Sequence, residues 1–317
     1  MQHINTPIKL SRRKRIQRRI KRKMIGPVIA GTTIFTTVGF DQPAKSGDYA
    51  QYYAPIELIS SAAPEKLVSD TDLTFEVLDE NIGKVVMEEI SSEEKRSVVE
   101  TYIKTQYDEL AALNGSKPSY EVYHRAVIGY TNLKAQGKVK NEKLTIIDFS
   151  LSSKKKRLWI VDMKENKILK NKLVAHGKNS GFDIPNSFSN TRHSNQSSLG
   201  FYLTGENYHG KYGLSLRLDG LETGFNSNAR QRAVVMHRAR YVNDNISKGL
   251  GRLGRSFGCP AIDWTEDSTQ IIKDIANKSV MFIYSPHTEY LAKTKLYDVD
   301  QAFDYLQKGL FVMSKTS

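Results

Sequence analysis

The sequence predicts a mainly β domain, a β-sandwich or barrel, preceded by a small helical region, so that the chain is α+β overall. Three observations carry this. Between Leu144 and Ser285, short β-prone runs follow one another with a single short helix among them. Upstream of Leu144, apolar residues instead recur at three-to-four spacing. A chain of 317 residues that is 39% hydrophobic has enough apolar surface to build a core, which excludes a wholly disordered polymer. Many short strands with few helices between them also argue against a doubly wound parallel sheet.

The first element, residues 1–40, reads as a signal peptide or membrane anchor. Ten of the 47 Lys and Arg residues lie between Lys9 and Lys23, no acidic residue precedes Asp41, and the run from Met24 to Phe40 is uncharged. A basic segment before a short apolar stretch diluted by Gly, Pro and Thr suits a signal h-region, whether cleaved or retained, with the body exported. The formal charge of +13 is therefore mostly local. Without those ten residues, 37 basic side chains face 34 acidic ones, and the body gives no case for binding nucleic acid. Any contact with the cytoplasmic membrane is expected only through residues 1–40.

Residues 41–90 read as a linker or irregular segment, with Pro43, Gly47, Pro55 and Pro64 among scattered Ser and Ala. A helical region spans 91–140. Ser91 and Glu94 form a capping box ahead of Val98, Val99, Tyr102, Ile103, Tyr107, Leu110 and Leu113. A second helix starts at Ser119, carries Tyr120, Tyr123, Val127, Tyr130 and Leu133, and stops at Gly137. These Tyr-rich stripes read as core faces. The β region, 141–290, contains runs at Leu144–Ser150, Arg157–Met163, Ile168–Ala175, Leu199–Thr204, Gly213–Leu218 and Ala233–His237. A helix at Asp267–Ala276 and a strand at Ser279–Ser285 complete it. Residues 291–317 read as a C-terminal helical tail carrying Val299, Phe303, Leu306 and Leu310.

A single cysteine, Cys259, rules out an intramolecular disulfide and any zinc site with several thiolates. It is either a small buried hydrophobe or a nucleophile. Its setting is Arg252-Leu253-Gly254-Arg255-Ser256-Phe257-Gly258-Cys259-Pro260, where the glycines permit a tight turn and close approach of a substrate. Arg252 and Arg255 supply positive potential, which favours a thiolate. A cysteine nucleophile needs a base, and His237 ends the apolar run Ala233-Val234-Val235-Met236, 22 residues upstream.

Val234-Val235-Met236-His237, a loop, and Ser256-Phe257-Gly258-Cys259 together resemble the catalytic motif of L,D-transpeptidases, cell-wall enzymes that cross-link peptidoglycan with a cysteine. Asp148-Phe149-Ser150, Arg157-Leu158-Trp159-Ile160-Val161-Asp162, Val174-Ala175-His176-Gly177 and Gly220-Leu221-Glu222-x-Gly224-Phe225-Asn226 resemble the murein L,D-transpeptidase catalytic domain, over residues 120–286. The resemblance implies Cys259 as nucleophile, His237 as general base, and Ser256 and Gly258 as residues that shape the nucleophile loop. It implies stem peptides of peptidoglycan as partners, acyl transfer with release of D-Ala, sensitivity to carbapenems, and a place in the periplasm or cell envelope. Many relatives carry Arg or Asn two positions after the cysteine, where this chain has Ala261. Arg240, Arg252 and Arg255 are the candidates to bind the substrate carboxylate in its stead. His176 and Gly177 are candidate groove residues, with the polar loop 178–198 behind them. No cofactor is expected. A metal on His176, His193 and His209 is not expected either, for lack of ligand spacing. The alternatives are an L,D-carboxypeptidase or cysteine peptidase on stem peptides, or a non-catalytic wall-binding module.

Overall fold

The computed structural model describes residues 90–211 and 213–314. The expected signal or anchor lies outside them, as does the linker but for its last residue. Helix α1 (Ser92–Glu109) begins at the capping box. Ser91 Oγ accepts the Glu94 N–H at 3.2 Å, and the Glu94 carboxylate accepts the Ser91 N–H at 2.9 Å. The apolar stripe of α1 divides, with Val99 and Ile103 buried and Val98 and Tyr102 exposed. Helix α2 (Tyr120–Ala135) is capped by Ser119 and buries ten of its 16 residues. It lies between the sheet on one side and α6 (Val299–Ser314) on the other.

The strands are β1 (Lys143–Asp148), β2 (Leu158–Asp162), β3 (Lys167–Lys172), β4 (Gly200–Gly210), β5 (Gly213–Gly220), β6 (Val235–Ala239), β7 (Ala261–Asp263) and β8 (Val280–Tyr284). They form one sheet in the order β3-β2-β1-β8-β4-β5-β6-β7. The β1/β8 and β6/β7 pairs are parallel and the others antiparallel. Beyond β3 the chain reaches the far edge, where Ala175 N–H donates to Ala261 O at 2.8 Å and Ala261 N–H to Ala175 O at 3.3 Å. The segment that follows β3 thus pairs with β7, and the expected β-dominated sheet is a nearly closed barrel, which leaves little free edge. Two elements carried no sequence signal: α3 (Asp244–Leu250) and β7, seven and three residues long. The remaining helices, α4 (Glu266–Asp274) and α5 (Thr288–Lys293), flank β8 in the chain.

Most buried side chains form one core; Phe201 on β4 stacks on Phe282 of β8 with ring centres 4.3 Å apart. A second, smaller cluster of Ala175, Ala239, Val242, Leu253 and Ala261 covers the face of β6 that also carries His237, because residues two apart on a strand share a face. The C-terminal segment is packed rather than trailing. The buried Glu222 carboxylate accepts from Phe201 N–H (2.7 Å), Tyr290 O–H (3.0 Å) and the Thr294 hydroxyl. Asn132 of α2 donates to Leu296 O (3.0 Å) and Asp298 O (2.8 Å).

Gly129 on α2 faces the Phe201 ring, and a Cβ there would stand 2.0 Å from the ring carbon Cζ. In an exposed helix, Gly→Ala stabilises by about 1 kcal/mol. Here the sign reverses, because the ring is stacked on Phe282 and has nowhere to go. Gly129→Ala should destabilise the fold by about 1–3 kcal/mol, read as a lower midpoint of denaturant unfolding with unchanged slope.

Candidate active site

Three backbone segments lace together around Cys259. Ser256 N–H donates to His176 O (2.9 Å), and Lys178 N–H donates to Ser256 O (2.8 Å). Gly177 N–H donates to Ser197 Oγ (3.0 Å), whose hydroxyl donates to Gly258 O (3.1 Å). Within the loop, Ser256 Oγ accepts Gly258 N–H at 3.0 Å and donates to Cys259 O at 2.6 Å. One buried hydroxyl therefore closes the turn on both sides of the cysteine. Gly258 has φ +124°, and a Cβ on it would meet Gln196 O at 2.8 Å, so glycine is required on two counts. Gly177 is required by space alone, since a Cβ there would meet Asn195 O at 2.6 Å and Gly258 Cα at 2.9 Å.

Cys259 sits where the loop enters β7, and the parallel register of β6 and β7 pairs Ala261 with His237. His237 N–H donates to Pro260 O at 3.3 Å. The Cys259 sulfur receives Val235 N–H at 3.5 Å, two residues from His237 on β6, and lies 3.7 Å from Ala233 O. Ala233 itself has φ +52°, a left-handed conformation costly for a residue with a Cβ. The buried His237 places Nδ1 3.0 Å from Arg238 O. A carbonyl only accepts, so Nδ1 carries the proton and Nε2 holds the lone pair. Burial lowers the imidazole pKa, partly offset by this hydrogen bond, so the ring is neutral at pH 7.

Cys259 is half-buried as a residue, yet its sulfur is enclosed enough that burial pushes the thiol pKa up. The Val235 N–H and the charge of Arg232 oppose this shift. The resting site is thus a neutral thiol beside a neutral imidazole. The cation that acts on the sulfur is Arg232, not Arg252 or Arg255 as the sequence suggested. Arg232 Nη1 donates to Ser189 O (2.6 Å) and Ser198 Oγ, and Nη2 donates to Ser194 Oγ (3.1 Å) and Gln196 O (2.7 Å). Nη2 lies 3.5 Å from where a Gly258 Cβ would stand. Arg232 therefore holds the 189–198 loop beside the turn that carries Cys259. Nothing in Arg230-Gln231-Arg232 marks it out in the sequence, because its partners are 34 to 43 residues away.

The other candidates fall in three places. His176 is buried behind the loop, with Nδ1 2.8 Å from Arg157 Nη2 and Nε2 3.4 Å from Gly181 O. A guanidinium only donates, so Nδ1 accepts. Burial and the Arg157 charge pull the His176 pKa down to about 3. His176 supports the backbone that holds Ser256. Arg252 and Arg255 lie against Phe182, their guanidinium carbons 4.7 and 5.8 Å from its ring centre, and Arg255 Nη1 donates to Lys178 O (2.9 Å) and Gly181 O (2.8 Å). Arg240 lies over Trp264, 5.2 Å from its ring centre, and lines a cavity of about 470 Å³ with Lys156, Lys172 and Asp263. Neither Cys259 nor His237 lines that cavity. Ala261 is fully buried, its backbone paired between β6 and Ala175. His193 and His209 are exposed, away from the buried His176, and among the described residues no group of three or more His, Cys, Asp or Glu is placed to hold a metal. Among the described residues no helix is long and apolar enough to cross a membrane.

The family model of the L,D-transpeptidase catalytic domain matches residues 114–284, more than half of the chain. Two solved structures of the helical cell shape determining protein Pgp2 from Campylobacter jejuni are loosely similar. For a single-residue mutant the identity is 10% and the TM-score 0.29, covering 51% of this chain and 56% of that one. For the unsubstituted protein the values are 10% and 0.27, covering 50% and 56%. The chain thus spans little more than half the length of either, and the likeness is too loose to carry an argument. No curated protein matches the chain significantly.

Arg232 separates charge from positioning. Arg232→Gln removes the cation that opposes burial, so the alkylation rate of Cys259 should rise at higher pH than in the wild type. Arg232→Lys should restore the profile while leaving the 189–198 loop more open to proteolysis. A second expectation concerns His176, whose pKa is about 3 folded against about 6.5 unfolded. Below pH 6.5 the unfolded chain takes up a proton that the folded chain refuses, so this contribution is full above pH 6.5 and is lost as pH falls toward 3. His176→Gln should flatten stability against pH in that window by up to about 1.4 kcal/mol per pH unit, measured by urea unfolding between pH 6.5 and 4.5.

Proposed function

The chain belongs to the L,D-transpeptidase catalytic-domain family, and from that premise we propose that it is a peptidoglycan acyltransferase in which Cys259 is the nucleophile and His237 the general base. The observation that carries the reading is the β6/β7 register. It brings the Cys259 turn against the strand that holds His237 in the Nδ1–H tautomer through Arg238 O. That carbonyl takes the orienting role an acidic residue plays in other triads.

In the proposed reaction, His237 Nε2 takes the thiol proton as sulfur attacks the carbonyl between the third stem residue and D-Ala. A neutral thiol whose pKa is raised gives up its proton during attack rather than before it. The tetrahedral oxyanion rests on the Cys259 N–H, which has no acceptor among the described residues. The neighbouring Gly258 N–H is already given to Ser256 Oγ. The carbon–nitrogen bond then breaks, the imidazolium protonates the departing amine, and a thioester remains on Cys259. A neighbouring stem amine attacks the thioester, loses its proton to His237, and the sulfur regains that proton as the cross-link forms. Water in place of the amine yields the shortened stem of a carboxypeptidase. Work on the cell wall implies an exported protein, in keeping with the basic run and uncharged segment of residues 1–40.

Muropeptides from sacculi incubated with the wild type should gain cross-links joining two third-position residues, detected by mass spectrometry, and Cys259→Ala should gain none. His237→Ala should slow acylation of Cys259 by a carbapenem by on the order of 10²-fold or more. Shortened stems without cross-links would assign the carboxypeptidase reaction. A thiol that neither a carbapenem nor an alkylating reagent reaches in the folded protein would make the cysteine structural and the chain a wall-binding module.

A further inference from the structure

The cavity of about 470 Å³ opens where three strands end, β3 at Lys172, β6 at Ala239 and β7 at Asp263. It is no extension of the Cys259 site. Asp263 stands four residues beyond Cys259, about 13 Å along an extended chain, and neither Cys259 nor His237 lines the cavity. Its volume lies within the range of small-molecule sites, about 300–1,000 Å³.

Hydrogen-bond partners divide the lining into a fixed frame and a free set. Lys172 Nζ lies 3.0 Å from Asp263 Oδ1 and 3.1 Å from Asp267 Oδ2, and the Asp263 carboxylate also accepts the hydroxyls of Thr265 (3.1 Å) and Ser268 (2.7 Å). Asn243 donates to Arg240 O at 2.6 Å and accepts Ile246 N–H at 2.9 Å. These groups answer one another and hold the walls. The free set is different. Among the described residues, neither the Lys156 ammonium nor the Arg240 guanidinium has a hydrogen-bond or ion-pair partner, and both residues are exposed. Arg240 is instead seated over the Trp264 ring, 5.2 Å from its centre, and a guanidinium held this way keeps its N–H fork for an oxyanion. Asp244 is the acid of the lining that has no such partner among the described residues. Leu173 and Val242 add apolar wall.

We propose that this cavity binds a sugar carrying a phosphate or carboxylate group, at a site separate from Cys259. Each part of such a ligand meets its complement. The oxyanion falls to Arg240 and Lys156, a sugar hydroxyl donates to Asp244, and the C–H face of the ring covers Leu173 and Val242. Other ligands fit less of the lining. A neutral sugar leaves two cations unanswered, a bare oxyanion meets the Asp244 charge and leaves the apolar wall uncovered, and a cationic ligand is opposed by two positive charges against one negative. Nothing in this inference depends on which residue is the nucleophile.

The test is calorimetric titration of the full chain with four probes: glucose 6-phosphate, glucuronate, glucose and inorganic phosphate. At least one charged sugar should bind, and the tighter of the two identifies the anion. Glucose and inorganic phosphate should each bind about tenfold more weakly than that sugar, the scale of losing charge-assisted hydrogen bonds or the ring contacts. Arg240→Gln and Lys156→Gln, both at exposed positions, should each raise its Kd about fivefold, the scale of one exposed ion pair, and leave that of glucose within twofold. No binding of either charged sugar up to about 10 mM would overturn the proposal, as would equal affinity for glucose or an unchanged Kd in both variants. Inorganic phosphate binding as tightly as the charged sugars would reduce the site to an anion contact, and the proposal fails. A synthetic stem tetrapeptide ending in D-Ala is the last probe. If it displaces the bound sugar, the cavity belongs to the acyl-donor groove and a separate site is refuted; if both bind together, the separation stands.

Discussion

The site depends on one buried cation. Arg157 is fully enclosed; its Nε and Nη2 donate to Val174 O, Nη1 to Leu151 O, and Nη2 also to His176 Nδ1, while its guanidinium carbon lies 4.8 Å from the centre of the Phe149 ring. Burial lowers its pKa to about 9, which leaves it charged at pH 7. A guanidinium in such a place is tolerated only where its N–H groups find acceptors. The acceptors here are the carbonyls of segments that would otherwise be loose. From Arg157 the support passes to His176, from His176 O to Ser256 N–H, and from Ser256 Oγ to the backbone on either side of the cysteine. The geometry at Cys259 is therefore set three hydrogen-bonded steps away, at a side chain with no exposed surface.

The electrostatics follow the same division. The proposed reacting pair, Cys259 and His237, is kept neutral by burial, and the charges are placed around it: Arg157 behind, Arg232 beside, Arg252 and Arg255 on the outer rim. A stored thiolate–imidazolium pair would hold charge in the ground state. A neutral pair develops charge only as the reaction proceeds, which is when fixed dipoles and a nearby guanidinium stabilise it most. The left-handed Ala233 belongs to the same design, since it turns its carbonyl toward the sulfur immediately before β6 begins.

Much of this was legible in the sequence where the cause is local. Ser91 and Glu94 announce α1 because their side chains bond to backbone within the same turn, and short β-prone runs announce seven of the eight strands. His237 and Cys259 were singled out by the glycine-flanked thiol and the family motif together, and the β6/β7 register sets their two segments side by side. What escaped has a long-range cause. β7 is three residues that become a strand only because His237 and Ala175 lie on either side. Arg232 looked like one basic residue among many until the 189–198 loop folded onto it. Arg252 and Arg255, adjacent to the cysteine in the chain, point their charge at Phe182 instead. Proximity in sequence was a poor guide to which cation meets the sulfur. The exposed side of α1 shows the same limit, for Val98 and Tyr102 share the period of the core residues but not their burial.

Glu222 gives the C-terminal segment a significance that its position in the chain conceals. The stretch that defines the family ends at residue 284, but two of the three donors to this buried carboxylate, Tyr290 and Thr294, lie past that point, as do the carbonyls that hold Asn132. A chain cut at the family boundary would keep every catalytic candidate and still be left with a buried acid short of donors and a bared flank on α2. The unit of homology and the unit of folding differ in this protein, and the difference is α1 before the matched stretch and the last two helices after it.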